Sequence, residues 1–241
     1  MAGPDNLNMF TRNGTLIGSV SYTDVSSSDD ILDIAHWKGK DYFVTYREFV
    51  TGSNLIKLLR INWKTGGAGT AVLIKDIYEN ADPFDTLTGI CHDGKDLFVI
   101  CSDDNVHDKI VQITTKGVLV KTIDTAAENR WGLEYLGNRQ FAYCTGTGPG
   151  ARVKIVRYDK QNNKMILLSS LNPALGNNEK GVTFDGQNLI VSHRVAGVGS
   201  VNRITTLGMD GSPKHRIVRS ATAFSTGATF TGKNIVLALN H

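Results

Sequence analysis

The stretch SDDNVHDK, residues 102–109, brings Asp103, Asp104, His107 and Asp108 close together in the chain. Such carboxylates suit a hard divalent cation, which takes oxygen ligands. The spacing is not that of a calcium loop and no bidentate Glu follows, so the expectation is a solvated acidic loop with no metal. A second stretch, TGTGPGAR from Thr145, has the glycines of a phosphate-cradling loop. It leads into a strand pattern and not into a helix, so no helix N-terminus faces an anion, and it reads as a connecting loop. His36, His92 and His193 stand apart from any Ser or carboxylate that would complete a nucleophilic triad. His193 draws attention because Arg194 follows it at the end of an apolar run, although a structural histidine is the first reading. Cys91, Cys101 and Cys144 are odd in number and lack zinc-ligand spacing, so neither a disulfide framework nor a metal set is expected.

These residues must be positioned by something, and the composition says by what kind of chain. The 241 residues are 41% hydrophobic and 20% charged with a net charge of +3, which suffices for a real core and gives no sign of disorder. Lys and Arg are scattered, so no nucleic-acid footprint appears. The longest apolar runs are about five residues, far below the roughly 18 of a membrane span. The first ten residues, MAGPDNLNMF, lack the basic and apolar regions of a signal peptide. The expectation is a soluble protein, cytoplasmic or virion-associated, without membrane insertion.

The positioning elements repeat. The hairpin turns WKGKDYF, HDGKDLF, YLGNRQF, FDGQNLI and FTGKNIV place Gly39, Gly94, Gly137, Gly186 and Gly232 at intervals of roughly 43 to 55 residues, the spacing of stacked supersecondary units. Five residues before these anchors stand Gly89, Gly132, Gly181 and Gly227, with Ile34 in the first unit. Each hairpin is followed by a loop, a third strand, a polar turn and a fourth strand, as in KIVQITT then VLVKTID. The fifth unit ends after its second strand, at KNIVLALNH, and the missing half lies at the other end of the chain, in LNMFTRNGTLIGSV.

This pattern resembles the β-propeller superfamily, with four-stranded repeats like those of NHL-type and lectin-like propellers. The resemblance covers nearly the whole chain, residues 1–241, as a single domain. It implies an all-β, five-bladed β-propeller, closed by pairing the N-terminal outer strands with the C-terminal inner hairpin. The alternative is a two-sheet sandwich with fortuitous turn spacing. In a propeller the first strand of each blade lies nearest the axis. The hairpin turns gather on one face, and the longer connections, REFVTGSN, SDDNVHDK, TGTGPGAR and HRVAGVGSVN, gather on the other. Long, varied loops on a rigid scaffold commonly carry binding.

Around the axis on that loop face the repeat alignment places Arg47, Asp85, Asp103, Trp131, Glu179, His193 and Arg194, the candidate ligand-binding residues, with Asp30, Glu128 and Lys180 nearby. Trp131 reads first as packing between blades and second as a stacking platform. Two functions follow. The first is a non-enzymatic scaffold that binds a protein or glycan on the loop face, or serves as part of a larger assembly such as a virus particle; it needs no cofactor and no catalytic residue. The second is a small hydrolase or lyase. Five-bladed glycosidases use carboxylates at the central mouth, and Asp30, Asp85, Asp103 and Glu179 are candidates for that role. Gluconolactonase-type propellers hold an axial metal, of which Glu128, Asn129, Asn177, Asn178 and Glu179 are a loose echo.

Overall fold

The structure, a computed structural model, describes residues 5–22, 30–48, 51–80, 85–103, 108–126, 128, 130–145, 152–172, 179–195, 201–220 and 224–240. Every regular element among them is a strand. The chain opens with β1 (Asp5–Thr11) and β2 (Leu16–Tyr22). A first blade follows from β3 (Asp30–Lys38), β4 (Asp41–Arg47), β5 (Asn54–Asn62) and β6 (Thr70–Asn80). The second blade is β7 (Asp85–His92), β8 (Asp96–Asp103), β9 (Lys109–Thr114) and β10 (Leu119–Ile123). The third is β11 (Arg130–Gly137), β12 (Gln140–Thr145), β13 (Arg152–Asp159) and β14 (Lys164–Leu171). The fourth is β15 (Glu179–Phe184), β16 (Leu189–Val195), β17 (Val201–Leu207) and β18 (Pro213–Ser220). The last two strands are β19 (Phe224–Phe230) and β20 (Asn234–Asn240).

Each blade is one antiparallel four-stranded sheet in chain order, except the fifth, whose order is β19-β20-β1-β2. β1 pairs with β20 from Asn6↔Leu239 to Thr11↔Asn234, so the ring closes as the half-units in the sequence imply. The anchor glycines all have positive φ, between +59° and +94°, and a Cβ on any of them would meet nothing within 4 Å. They are glycines for backbone conformation at the hairpin turn and not for space.

The hydrophobic residues form five clusters, each shared between neighbouring blades. Leu7, Val20 and Tyr22 meet Ile31, Val44 and Tyr46 across the closure, and Ala142 and Cys144 of the third blade meet Val182 and Val191 of the fourth. Alternating strand residues therefore face a neighbouring blade on both sides of a sheet, and burial of one blade depends on the next. The three cysteines are buried and none forms a disulfide.

All five inner strands carry a register shift at the same level: between Ile31 and Asp33, Leu87 and Gly89, Trp131 and Leu133, Glu179 and Gly181, and Ser225 and Gly227. The result is a ring of bulges around the axis, and bulges re-aim side chains. The first and third blades correct the sequence alignment. A second shift, between His36 and Lys38 in the first and between Tyr135 and Gly137 in the third, adds a residue near the turn. Asp33, not Ile34, therefore stands opposite Thr45, and Leu133, not Gly132, opposite Tyr143, as Gly89 stands opposite Ile100, Gly181 opposite Ser192 and Gly227 opposite Ala238; Gly132 is itself the bulged residue of its strand.

Candidate functional site

Where the inner strands converge, their backbones touch. A Cβ on Gly89 would lie 3.0 Å from the Gly132 carbonyl carbon, and one on Gly132 3.0 Å from the Gly181 Cα. On Gly181 it would lie 2.7 Å from the Gly227 carbonyl carbon, and on Gly227 2.5 Å from the Asp33 Cα. Four glycines and one aspartate thus plug the axis. The Asp33 side chain is 1% exposed. Its Oδ2 accepts the Ile90 N–H at 2.8 Å and the Leu133 N–H at 3.3 Å, and its Oδ1 accepts the Ile34 N–H at 2.9 Å. One carboxyl ties three blades together. Burial raises its pKa well above the ordinary carboxylate range, against the pull of those three donors, with the Glu134 charge adding to the rise.

The plug divides the axis into two mouths. At the loop face, β3, β7 and β15 begin on Asp30, Asp85 and Glu179, whose backbones pair with Arg47, Asp103 and His193. The backbone thus puts three acidic residues at inner strand starts. The side chains of Asp85, Asp103, Glu179 and Arg194 lie outside the described residues, as do Asp104, His107, Asn129, Asn177, Asn178 and the loop 146–151. Arg47 is exposed at the end of β4. His193 is 1% exposed and its Nε2 lies 3.0 Å from Thr205 Oγ1 within the fourth blade.

Trp131 and Lys180 meet across two blades. The Lys180 ammonium lies 2.9 Å from the Trp131 ring centroid. Lys180 is the bulged residue between Glu179 and Gly181, which turns its side chain toward the third blade. Burial lowers its pKa to about 8. Trp131 also packs against the cluster shared by the third and fourth blades.

Two ionic clusters anchor strand ends beneath the same face. Arg130, 1% exposed, pairs with Asp108 at 3.5 Å and Glu128 at 3.3 Å, and Glu128 also holds Lys154 and accepts from Tyr143 at 3.1 Å. Asp108 is therefore part of a buried network and not of a solvated loop, which corrects the sequence expectation for that residue. The reason is a partner from β11 that local sequence does not show. Burial raises the pKa of Asp108 and pushes the Tyr143 phenol up to about 12. In the first blade Lys57, 1% exposed, is held by Glu48 at 3.3 Å and Asp76 at 3.6 Å and lies over the Tyr46 ring. Among the described residues no group of three or more His, Cys, Asp or Glu is arranged to hold a metal.

On the turn face the axis opens into a cavity of about 280 Å³ to which all five inner strands contribute. Trp37, Tyr135, Phe184 and Phe230 form aromatic walls, and His36, His92, Glu134 and Thr229 supply polar groups. His92 Nδ1 accepts the Gly94 N–H at 3.1 Å, so its Nε2 is the nitrogen that donates to the His36 carbonyl at 2.7 Å. Burial lowers the His36 pKa, and the neighbouring His92 adds to this. Glu134 keeps some surface toward the cavity while protein surrounds it on its other sides. It accepts the Thr183 hydroxyl at 2.7 Å and the Tyr135 N–H at 3.2 Å. Burial raises its pKa to about 7. Neither Asp33 nor Glu134 belonged to the sequence-derived candidates. Local pattern presents both as residues of an ordinary inner strand, and only convergence of five strands buries them.

Glu134 makes stability depend on pH. Its folded pKa lies above the unfolded value, so its contribution is fully present below about pH 4.5 and is lost as pH rises through about 7. The groups facing it are Asp33, Cys91, His36, His92 and Thr183. Glu134→Gln, which keeps the acceptor for Thr183, should flatten the stability profile between those limits by a few kcal/mol. Urea midpoints across this range check it. A profile as steep as that of the unchanged protein would assign the titration elsewhere.

No protein-family model matches the chain, and no curated protein matches its sequence. Solved structures do superimpose. The exo-β-1,3-galactanase of Phanerochaete chrysosporium, solved with β-1,3-galactotriose, aligns with a TM-score of 0.55 at 9% identity over 97% of this chain and 64% of its own. TolB of Acinetobacter baumannii aligns at 0.51 and 17% identity over 98% and 63%, and the hydrazine synthase of Kuenenia stuttgartiensis at 0.51 and 17% over 90% and 69%. This chain thus spans less than two thirds of the galactanase and of TolB. Among its described residues no helix is long and apolar enough to cross a membrane. At such identities the likeness is one of fold alone, and on that fold the chain is a five-bladed β-propeller.

Proposed function

We propose that this chain is a binding propeller that engages a protein or glycan partner through its loop face, without catalysis of its own. The observation that carries the reading is the asymmetry of the disc. Its hairpins turn tightly at one face, while the longer connections leave the other from strand ends pinned by the Arg130 and Lys57 clusters. Pinned strand ends reduce the ordering cost of binding. On this reading Arg47, Asp85, Asp103, Trp131, Glu179 and Arg194 are the binding residues of the mouth, and buried His193 supports the strand that carries Arg194. A rigid disc of this kind also suits a component of a larger assembly.

The test begins with a glycan array and an affinity capture, and continues with the purified partner or glycan. Arg47→Ala, Trp131→Ala and Arg194→Ala should each weaken binding by about 2 kcal/mol, the size of a hot-spot truncation. Lys38→Ala and Lys233→Ala, on the turn face, should leave it unchanged. Loss of binding in the lysine variants alone would mean that the partner sits on the opposite face.

A second reading, a small hydrolase or lyase, is favoured by one observation: Glu134 lines an axial cavity, where burial raises the pKa of its carboxyl to about 7. Such a group can both give and take a proton at pH 7. On this reading Glu134 is the acid–base group, and Glu134→Gln abolishes any turnover found.

A further inference from the structure

We propose that the cleft between the second and third blades on the turn face is a binding site for a phosphate monoester that carries one ring. The cleft has a volume of about 390 Å³. Four cations line it from four different segments: Lys95 in the β7–β8 turn, Lys121 on β10, Arg139 in the β11–β12 turn and Lys160 just beyond β13. Two carboxylates line it too, and one oxygen of each is bound within the protein. Asp93 Oδ1 accepts the N–H groups of Lys95 and Asp96, both at 2.9 Å. Asp96, 4% exposed, accepts the Gln112 amide at 2.6 Å. Among the described residues no carboxylate pairs with Lys95, Arg139 or Lys160. Lys121 bonds the Tyr158 hydroxyl and lies 4.3 Å over that ring, a neutral partner that leaves its charge uncompensated.

Four cations against two carboxylates leave an excess of two positive charges, the complement of a phosphate monoester dianion. A sulfate ester carries only one negative charge. Arg139 provides the planar fork that binds such oxygens in pairs. The opposite wall is apolar, with Phe98, Phe141, Tyr135 and Val120, and so accommodates the ring of the ester.

The backbone at Arg139 is itself unusual. Asn138 and Arg139 have φ of +51° and +62°, the pattern of a two-residue hairpin turn whose second place normally belongs to glycine. An arginine there costs conformational energy that glycine would not. The turn is held by the Arg139 N–H donating to Tyr135 Oη at 3.3 Å and by the Tyr158 N–H donating to the Arg139 carbonyl at 2.8 Å. The turn thereby holds the residue that carries the guanidinium at the rim of the cationic cleft.

Calorimetric titration of the whole chain with phenyl phosphate, glucose 6-phosphate, inorganic phosphate and phenyl sulfate tests the site. One of the two phosphate esters should bind at least tenfold more tightly than inorganic phosphate and phenyl sulfate, and the better one shows whether the ring is aromatic or a sugar. Lys160→Gln should weaken that ester roughly tenfold, as for loss of a charge-assisted contact. Arg139→Gly separates binding from folding. It should raise the melting temperature by relieving the backbone while weakening the ester at least as much. No ester binding to the unchanged protein, unaltered affinity in Arg139→Gly, or equal affinity for inorganic phosphate would each overturn the proposal. Since the cleft is on the turn face, its failure leaves the loop-face reading untouched.

Discussion

A chain lacking residues 1–22 should fail to fold into soluble protein. β1 and β2 are the outer half of the fifth blade, and without them the edge of β20 from Asn234 to Leu239 loses its partner. An unpaired, apolar edge strand is an aggregation template. The deletion also removes Leu7, Met9, Val20 and Tyr22, all at most 7% exposed, from the cluster shared with the first blade. At about 1.5–3 kcal/mol for each buried apolar side chain, four of them carry roughly 6–12 kcal/mol, as large as the whole stability of an ordinary domain. The seal extends further. β2 is covered at its outer edge by the β5–β6 turn, where the Gly66 N–H donates to Ile17 O at 2.8 Å and the Gly69 N–H to Ser19 O at 2.7 Å. A circular permutant joining the two ends by a short linker and opened between β14 and β15 keeps all these contacts and should fold. Soluble expression, circular dichroism and thermal melting of both variants decide the matter. A soluble deletion variant with an unchanged melting temperature would refute closure by these strands.

Gly227→Ala is expected to be nearly as damaging, although it adds one methyl group. The new Cβ would lie 2.2 Å from Asp33 Oδ1 and 2.5 Å from the Asp33 Cα. The carboxylate could turn aside, but the Cα is backbone and can retreat only if β3 moves. Moving β3 pulls Asp33 away from the Ile90 and Leu133 N–H groups and leaves those donors buried without an acceptor. Overpacking of this kind costs about 1–3 kcal/mol, and each orphaned donor adds a similar amount. The loss should therefore exceed about 3 kcal/mol by urea unfolding. Asp33→Gly should not rescue it, because the backbone contact persists. Gly67→Ala is the control, since its nearest neighbours are the flexible Lys64 side-chain carbons at 3.5 Å and beyond. A Gly227→Ala protein as stable as the Gly67→Ala protein would show that the axis is looser than the convergence of glycines implies.

The turn glycines and the split fifth blade were legible in the sequence because their causes are local. A tight hairpin turn favours a glycine at positive φ, an alternating run declares a strand, and a half-unit of outer strands near one end matches a half-unit of inner strands near the other. The same locality explains what was misplaced. One extra residue beside Trp37 shifted the count in the first unit, so Asp33 was hidden behind Ile34 and the ring of four glycines looked merely incomplete. Asp108 looked solvated because its partner Arg130 lies on the next inner strand, and Trp131 gave no sign that Lys180 would be turned toward it by a bulge. Glu134, the Asp33 plug and the cationic cleft at Arg139 came into view only with the tertiary structure. Each is assembled from residues contributed by different blades. Burial, charge and close approach between such residues depend on distances that no stretch of consecutive residues contains.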